Sequence, residues 1–471
     1  MSSRRGRRQA PRGRTLPRLW LVGVGLCLVG RTAAAQPAAT VGATPQAATR
    51  ITLADAVRIA LRQNYTLALA RNATALDAES VRLEREAFLP SVSASASGAQ
   101  NYGRTFNQTV GVITGAGSQS VSATATASTT IFNGLQNVAN LRQAVYTHDA
   151  SGQDLARARQ TAIFTVTSDY LALVTDQEQL RIQQDNLASQ QAQEEQIDKL
   201  VAAGARAISD QYSQEATVAS AQSSVVSAQN TLELARVDLI QVLQLDPRGT
   251  YEFVTPVVTD SSAVRQRDAL DTLLTRAFAQ RADLASAALA VRAAEQGVRS
   301  AAGEWWPTLT ASASFGSSYQ SGTGGGFASQ FTNQQGGSVS LGLSLPIFDQ
   351  GAASVATQKA RIARDNATLA LANERQTVAV DVRRAYLNLI ADRETLAASL
   401  AQLRASDLAV VTTRQRYQVG AATLLELTEA QATQRQAASA VVTARYDLVF
   451  HQSLMAYYTG DSAFESVTPA S

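Results

Sequence analysis

The 471-residue chain contains one cysteine, Cys27, and two histidines, His148 and His451. A lone thiol builds no disulfide framework, and two isolated histidines without cysteine neighbours give no set with metal-ligand spacing. Both histidines are expected on the surface. No nucleophile elbow and no glycine-rich phosphate loop is present, so neither enzyme activity nor a cofactor is expected. Glycine and proline are missing over long tracts: none occurs from Ala352 to Val419, and none from Ala421 to Thr459. A helix running the length of the first tract would be on the order of 100 Å long, beyond what a compact domain needs.

The first 35 residues read as a secretory signal. Arg4, Arg5, Arg7, Arg8, Arg12, Arg14 and Arg18 precede the apolar run "LWLVGVGLCLVG", and "RTAAAQ" places Ala33 and Ala35 before a cut at Gln36. The run is too short to span a bilayer as a mature helix. The segment carries eight of the 41 basic residues and no acid, so its removal changes the formal charge from +3 to −5, 33 basic against 38 acidic residues. Nucleic acid thereby loses its electrostatic case as a partner. Cys27 lies within the signal after Leu26, a poor residue before a lipidation cut, so the mature chain is expected to have no thiol and no lipid anchor.

What the chain does have is internal repetition. "LPSVSASAS" at Leu89 recurs as "WPTLTASAS" at Trp306, "TIFNG" at Thr130 as "PIFDQG" at Pro346, and "SDYLAL" as "RAYLNL". Tyr170 matches Tyr386 and Gly204 matches Gly420, both 216 residues apart, whereas "ARVDL" at Ala235 matches "ARYDL" at Ala444 at 209. The difference of seven is one heptad, which shortens a helix while nearly preserving its face. The layout is a signal at 1–35, an N-terminal segment at 36–50, repeat 1 at 51–247, a connector at 248–267, repeat 2 at 268–460 and a tail at 461–471.

Within each repeat the hydrophobic period changes. Val166, Leu173, Leu180 and Leu187 are spaced by seven, as are Val382, Leu389, Leu396 and Leu403, which predicts narrow coiled-coil seams on otherwise wet helices. Four segments alternate with period two and read as strands: Ser91 to Ser97, Val121 to Ile131, Thr308 to Phe315 and Ser338 to Phe348. In the last, Val339, Leu341, Leu343 and Leu345 share an oily face, assigned here to lipid. Four strands are too few to close a barrel, which takes about eight, so copies of the chain are required. The residues between paired strands read as long loops. Phe88, Phe132, Trp305, Trp306 and Phe348 cluster at the strand ends, as in an aromatic belt at a membrane interface; a core aromatic pair is the other reading of the tryptophans.

The order of helix, strand, strand and two long helices, given twice, together with the "LPSVS" and "LPIFDQG" boundaries and the glycine-centred hairpins, resembles the TolC-type outer membrane factor family from Ile51 to Gly460. The resemblance implies a homotrimer, mainly α, in which three chains contribute twelve strands to one outer membrane barrel continued by a periplasmic α-helical barrel. It also implies a periplasmic adaptor and an inner-membrane pump or ABC transporter as partners, in efflux or type I secretion. Gly204 and Gly420 would then be the hairpin tips that meet the adaptor. Glu426 and Glu429, six and nine positions after Gly420, match residues that constrict the duct in that family, while Asp210 and Tyr417 match residues that link helices in the closed state. An arginine is expected two positions after the second glycine, and Ala422 stands there instead; Arg206, Arg414 or Arg416 are the candidate substitutes. Thr423 and Glu426 also satisfy a capping-box pattern, so Glu426 has two readings at this point. A periplasmic coiled-coil structural or adaptor protein is the alternative function, and it leaves the four oily strands without a use.

Overall fold

The long tracts without glycine or proline do become single helices. The computed structural model describes residues 49–103, 105–107, 111–114, 118–255, 268–321 and 324–460, within the unit Ala48–Ser471. The expected signal, most of the 36–50 segment, residues 256–267 of the expected connector and the tail 461–471 lie outside the described residues. The first half runs β1 (Thr49–Ile51), α1 (Leu53–Gln63), α2 (Tyr65–Glu86), β2 (Ser91–Asn101), β3 (Thr105–Asn107), β4 (Val112–Thr114), β5 (Ser118–Asn133), α3 (Gln136–Ala202) and α4 (Ile208–Val242). After β6 (Tyr251–Phe253) the order returns: α5 (Leu270–Gln280), α6 (Ala282–Ala302), β7 (Thr308–Gln320), α7 (Phe327–Asn333), β8 (Gln335–Ser344), α8 (Ala352–Gln418) and α9 (Leu424–Thr459). Helices α3 and α8 have 67 residues each, roughly 100 Å of rise.

The heptad positions are where these helices bury surface. Val166, Leu173, Val382 and Leu396 are buried, and Leu180, Leu187, Leu389 and Leu403 are half-buried. In repeat 1 the seam joins a cluster in which Tyr170, Leu239, Leu243 and Phe253 close over α1. The single hydroxyl proton of Tyr170 is shared between the carbonyls of Ile51 (3.0 Å) and Val254 (2.5 Å), which clamps the parallel β1–β6 pair onto α3. The pair was not legible in the sequence, since three-residue strands carry no period. His451 departs from the surface expectation: its Nδ1 lies 2.6 Å from Asp392 Oδ2 between α9 and α8, because the two helices pack side by side there. His148 is half-buried, with Nδ1 enclosed.

Strands β2, β5, β7 and β8 form one antiparallel sheet in that order. Its register lines up small apolar residues on one face, Val92 opposite Ala127, Ala127 opposite Ala313 and Ala313 opposite Val339. The other face carries hydroxyl pairs: Ser91 with Ser128 at 2.9 Å, Ser97 with Ser122 at 2.8 Å, Ser312 with Ser340 at 2.7 Å and Ser314 with Ser338 at 2.9 Å. Two expectations are corrected. The last strand ends at Ser344, so Leu345 and Phe348 follow it rather than belong to it; Pro346 supplies no N–H to a ladder and holds the preceding residue out of regular pairing. The segments read as loops are also partly ordered, because the strands extend into them and β3–β4 and α7 form within them.

Two helix breaks arise without glycine or proline. Asn64, between α1 and α2, and Arg281, between α5 and α6, each take one extended conformation (φ −61°, ψ 127° and φ −70°, ψ 122°). Asn64 accepts from the N–H of Leu67 and caps α2. Arg281 is buried and bonded to Asp283 (2.5 Å), with Asp381 and Glu374 at 3.8 and 3.9 Å, while Arg157 of α3 also reaches Asp283 at 3.2 Å. Burial opposes ionisation of Asp283, but the two guanidinium groups outweigh it and hold the carboxyl below its usual range. Its contribution to stability is therefore complete above the usual carboxylate range and is lost as pH falls through the depressed value. Arg281→Ala leaves the half-buried Asp283 with only Arg157 as a cationic partner and is expected to destabilise the fold by about 1–3 kcal/mol, read as a lowered urea midpoint by circular dichroism. In Asp283→Asn the acid limb of stability against pH is expected to flatten.

Candidate functional site

The two hairpin tips are built alike from the backbone up. Gly204 and Gly420 have φ of +72° and +77°, a conformation that other residues reach only with strain. Each closes its helix with a paired motif. Gly204 N–H donates to Val201 O (2.9 Å) and Ala205 N–H to Leu200 O (2.8 Å); Gly420 N–H donates to Tyr417 O (3.1 Å) and Ala421 N–H to Arg416 O (2.8 Å). These bonds satisfy carbonyls that the helix end would otherwise leave open.

Beyond the turn the tips diverge. Helix α9 is capped by Thr423, whose Oγ1 accepts from the N–H of Glu426 at 3.2 Å, whereas α4 starts after Ala207 with no side-chain cap. Only the threonine half of the expected capping box forms. The Glu426 carboxylate instead faces Arg416, 3.7 Å away, and Arg416 donates to Ala421 O at 3.0 Å. Glu426 and Glu429 are both exposed on the same helix, three residues apart.

Tyr417 is the tip's anchor. It is buried with Ala422, Leu427 and Leu424 around it. The Arg206 guanidinium from the other tip lies 4.4 Å from its ring centroid and donates to its carbonyl at 3.2 Å. Ala422, where the resemblance called for arginine, is buried in this cluster, and the cation beside Tyr417 comes from Arg206. Burial pushes the Tyr417 phenol up; Arg206 opposes the rise and the half-buried Asp210 adds to it. The Tyr417 hydroxyl makes no hydrogen bond, to Asp210 or to any other group.

Further along the same helices, glutamines that the sequence reading passed over form a buried chain. Gln214 Nε2 donates to Gln190 Oε1 (2.9 Å), Gln190 Nε2 to Gln431 Oε1 (3.0 Å) and Gln431 Nε2 to Gln193 Oε1 (3.0 Å), joining α4, α3 and α9. Their burial was hidden because glutamine is common on the wet faces of these helices. Among the described residues no cluster of metal-ligating side chains occurs, and no helix is long and apolar enough to cross a membrane.

At the opposite end of the long helices stands the sheet. Phe88 precedes β2, Phe132 ends β5, Trp305 and Trp306 precede β7 and Phe348 follows β8, so the register gathers all five at one end of the sheet. Trp305, Trp306 and Phe348 are exposed, as are Val339, Leu341, Leu343 and Leu345. An exposed oily sheet joined to two helical hairpins, each with one arm of about 100 Å, is the arrangement of a membrane-associated duct.

Comparison with known proteins agrees. A model of the outer membrane efflux protein family matches residues 56–243 and 273–456, one block per repeat, and the chain belongs to that family. It is accordingly an outer membrane protein of efflux. Among solved structures, the fold is similar to that of CusC (TM-score 0.76, 17% identity, 87% of this chain and 92% of that one), described for transmembrane channel formation. It is similar also to VceC of Vibrio cholerae (0.75, 17%, 87% and 96%) and to the CmeC outer membrane channel of Campylobacter jejuni (0.74, 18%, 87% and 85%). A search of curated protein sequences finds no match.

The tip geometry makes one residue testable. Arg206→Ala removes a cation–π contact and a charged hydrogen bond from Tyr417, together worth about 1–3 kcal/mol. Amide exchange near residues 414–428 is expected to speed up about tenfold or more, while exchange in the Tyr170 cluster stays unchanged.

Proposed function

We propose that the chain is the duct component of a tripartite exporter: a homotrimer whose strands complete a twelve-stranded barrel and whose helices enclose a water-filled passage through the periplasm. The observation that carries this reading is the exposed oily face of a four-stranded sheet, too narrow to close by itself, at one end of helices much longer than a core requires. Transport is passive. No residue set for covalent chemistry supports an enzyme, and selectivity belongs to a periplasmic adaptor and an inner-membrane pump or ABC transporter. Efflux is the family's activity; type I secretion is a further use of the same duct. The adaptor would meet the tips at Gly204 and Gly420, and Phe88, Phe132, Trp305, Trp306 and Phe348 would form the interfacial belt. The division into a signal at 1–35, two repeats and a connector belongs to the same reading.

Glu426 and Glu429 would form the constriction, six carboxylates around a threefold axis. Support comes from their exposure within the chain and from their spacing, which puts both on one side of α9. Such a ring attracts multivalent cations. In planar bilayers a trivalent cation on the tip side is expected to reduce the current, and Glu426→Gln with Glu429→Gln to abolish that block. Because Thr423 caps α9 through its own hydroxyl, the glutamines leave the helix start intact. A double variant as sensitive as the parent moves the constriction elsewhere.

Leu343 tests the lipid face. Leu343→Arg is expected to cost roughly 2 to 4 kcal/mol near the bilayer midplane and to lower recovery in the outer membrane fraction. If Leu343→Arg inserts normally and Ser344→Leu does not, the two faces are exchanged. Recovery of the parent protein in the soluble periplasm would favour the coiled-coil adaptor reading instead.

A further inference from the structure

From Trp305 to Phe348 the chain has no Asp, Glu, Lys or Arg, and this uncharged stretch holds β7, α7 and β8. Helix α7 lies between the two strands, at the end of the sheet opposite Trp305, Trp306 and Phe348. It has no counterpart in the first repeat, where β3 and β4 stand between β2 and β5.

Strand alternation fixes the side of the sheet on which α7 rests. Leu309, Ala311 and Ala313 of β7 stand opposite Leu343, Leu341 and Val339, so alternate positions from Leu309 onward share the oily face. Ser317 and Tyr319 continue that face, and α7 folds back onto both. The Ser317 hydroxyl donates to Phe331 O at 2.5 Å, and the Tyr319 ring meets Phe327 edge-on with centroids 5.1 Å apart. Phe327 stacks in turn on Phe331 at 5.4 Å. A three-ring cluster thus follows the exposed Phe315 along the oily face, and Phe327 within it remains 51% exposed.

The helix also satisfies its polar groups internally. Gln330 is buried; its Oε1 accepts from the N–H of Gln320 (3.0 Å), and its Nε2 donates to the carbonyls of Gly324 (2.9 Å) and Gly325 (3.1 Å). Ser329 donates to Gly326 O at 2.9 Å and Thr332 to Ala328 O at 2.8 Å. In water such carbonyls could be left to solvent, whereas a place poor in water requires partners for them. The height agrees. Tyr319 comes thirteen residues after Trp306, roughly 43 Å along a strand and roughly 30–35 Å along the bilayer normal at a tilt of 35–45°, enough to bracket an apolar band about 25 Å tall.

We propose that α7 is a membrane anchor: a helix laid against the lipid face, whose Tyr319–Phe327–Phe331 cluster sits in the headgroup layer of the leaflet remote from Trp305 and Trp306. Lipid is the occupant because the cluster continues the oily face of the sheet and stands at the height where that face ends. Recognition is uncharged. No cation lies within residues 305–348 to pair with a phosphate, so contact is made by ring faces and by the neutral amides and hydroxyls around them, which suit the ester and hydroxyl groups of headgroups. The inference rests on the reading of Val339, Leu341 and Leu343 as lipid-facing and adds a binding element that the second repeat alone supplies.

Nitroxide labels test it in the full-length protein with Cys27→Ala, reconstituted into vesicles. One label is placed at the exposed Ala328→Cys on α7 and one at Leu341→Cys on β8. Accessibility to oxygen, which concentrates in the bilayer, is compared with accessibility to an aqueous nickel chelate. The α7 label is expected within about 10 Å of the headgroup–acyl boundary, at the same depth in phosphatidylcholine and in phosphatidylcholine with phosphatidylglycerol. In Phe327→Ser with Phe331→Ser, its chelate accessibility is expected to rise several-fold while the Leu341 label is unchanged. An α7 label open to the chelate in the parent, with the Leu341 label in lipid, overturns the anchor and leaves the duct reading standing. A label shielded from both reagents overturns it in favour of a protein contact, and a depth that follows lipid charge overturns the uncharged recognition. A Leu341 label open to the chelate overturns the lipid-face reading and the anchor with it.

Discussion

Backbone hydrogen bonding is the constraint on which this architecture depends. A sheet in hydrocarbon cannot keep an open edge, because each unpaired N–H and C=O there costs several kcal/mol, and water is absent to take its place. Strands β2 and β8 are edges in the single chain, and both are solvent-exposed along their whole length. Covering them with a helix would bury the oily face that suits the sheet to lipid. Closure through further copies satisfies the edges and keeps that face outward. In the trimer proposed above the helices would follow the same symmetry, since α3 and α8 begin within a few residues of the ends of β5 and β8.

Long helices that pack along narrow seams have no interior of the usual kind, and the residue choice follows. The heptad seams bury one residue per two turns, and much of the remaining burial falls to alanine, serine and glutamine. Small side chains let neighbouring helices approach closely, while the Gln214–Gln190–Gln431–Gln193 chain fixes their register by hydrogen bonds with particular partners. Arg281 does the same where α5 gives way to α6, gathering Asp283, Glu374 and Asp381 from two helices. Polar groups buried in this way add little net stability when paired, yet breaking one is costly, so they discriminate against a slipped helix.

The periodicities carried most of the fold. Two repeats, four main strands, two long hairpins and the positive-φ glycines at their tips follow from spacing and from the absence of glycine and proline elsewhere. The extent of the strands was less legible, because "GAQN" and "GSSYQ" read as turn chemistry while cross-strand partners draw them into the sheet. At the tip, the sequence marked Tyr417 and Asp210 but not that Tyr417 would be buried under Arg206, a contact between residues 211 apart that no local pattern encodes. The short β1–β6 pair and the His451–Asp392 bond were hidden for the same reason.

Duplication sets the frame, and divergence between the copies decides where chemistry concentrates. The tips share their turn geometry, but Gly204 is followed at the sixth and ninth positions by Asp210 and Ser213, and Gly420 by Glu426 and Glu429. Asp210 is half-buried, and its charge adds to the rise of the Tyr417 phenol. The two glutamates are exposed and one of them has only the distant Arg416 as a partner. A pair of glutamates three residues apart therefore follows the second glycine, where the first is followed by one carboxylate and a serine. Two hairpins with the same turn geometry thus present different side chains beyond it.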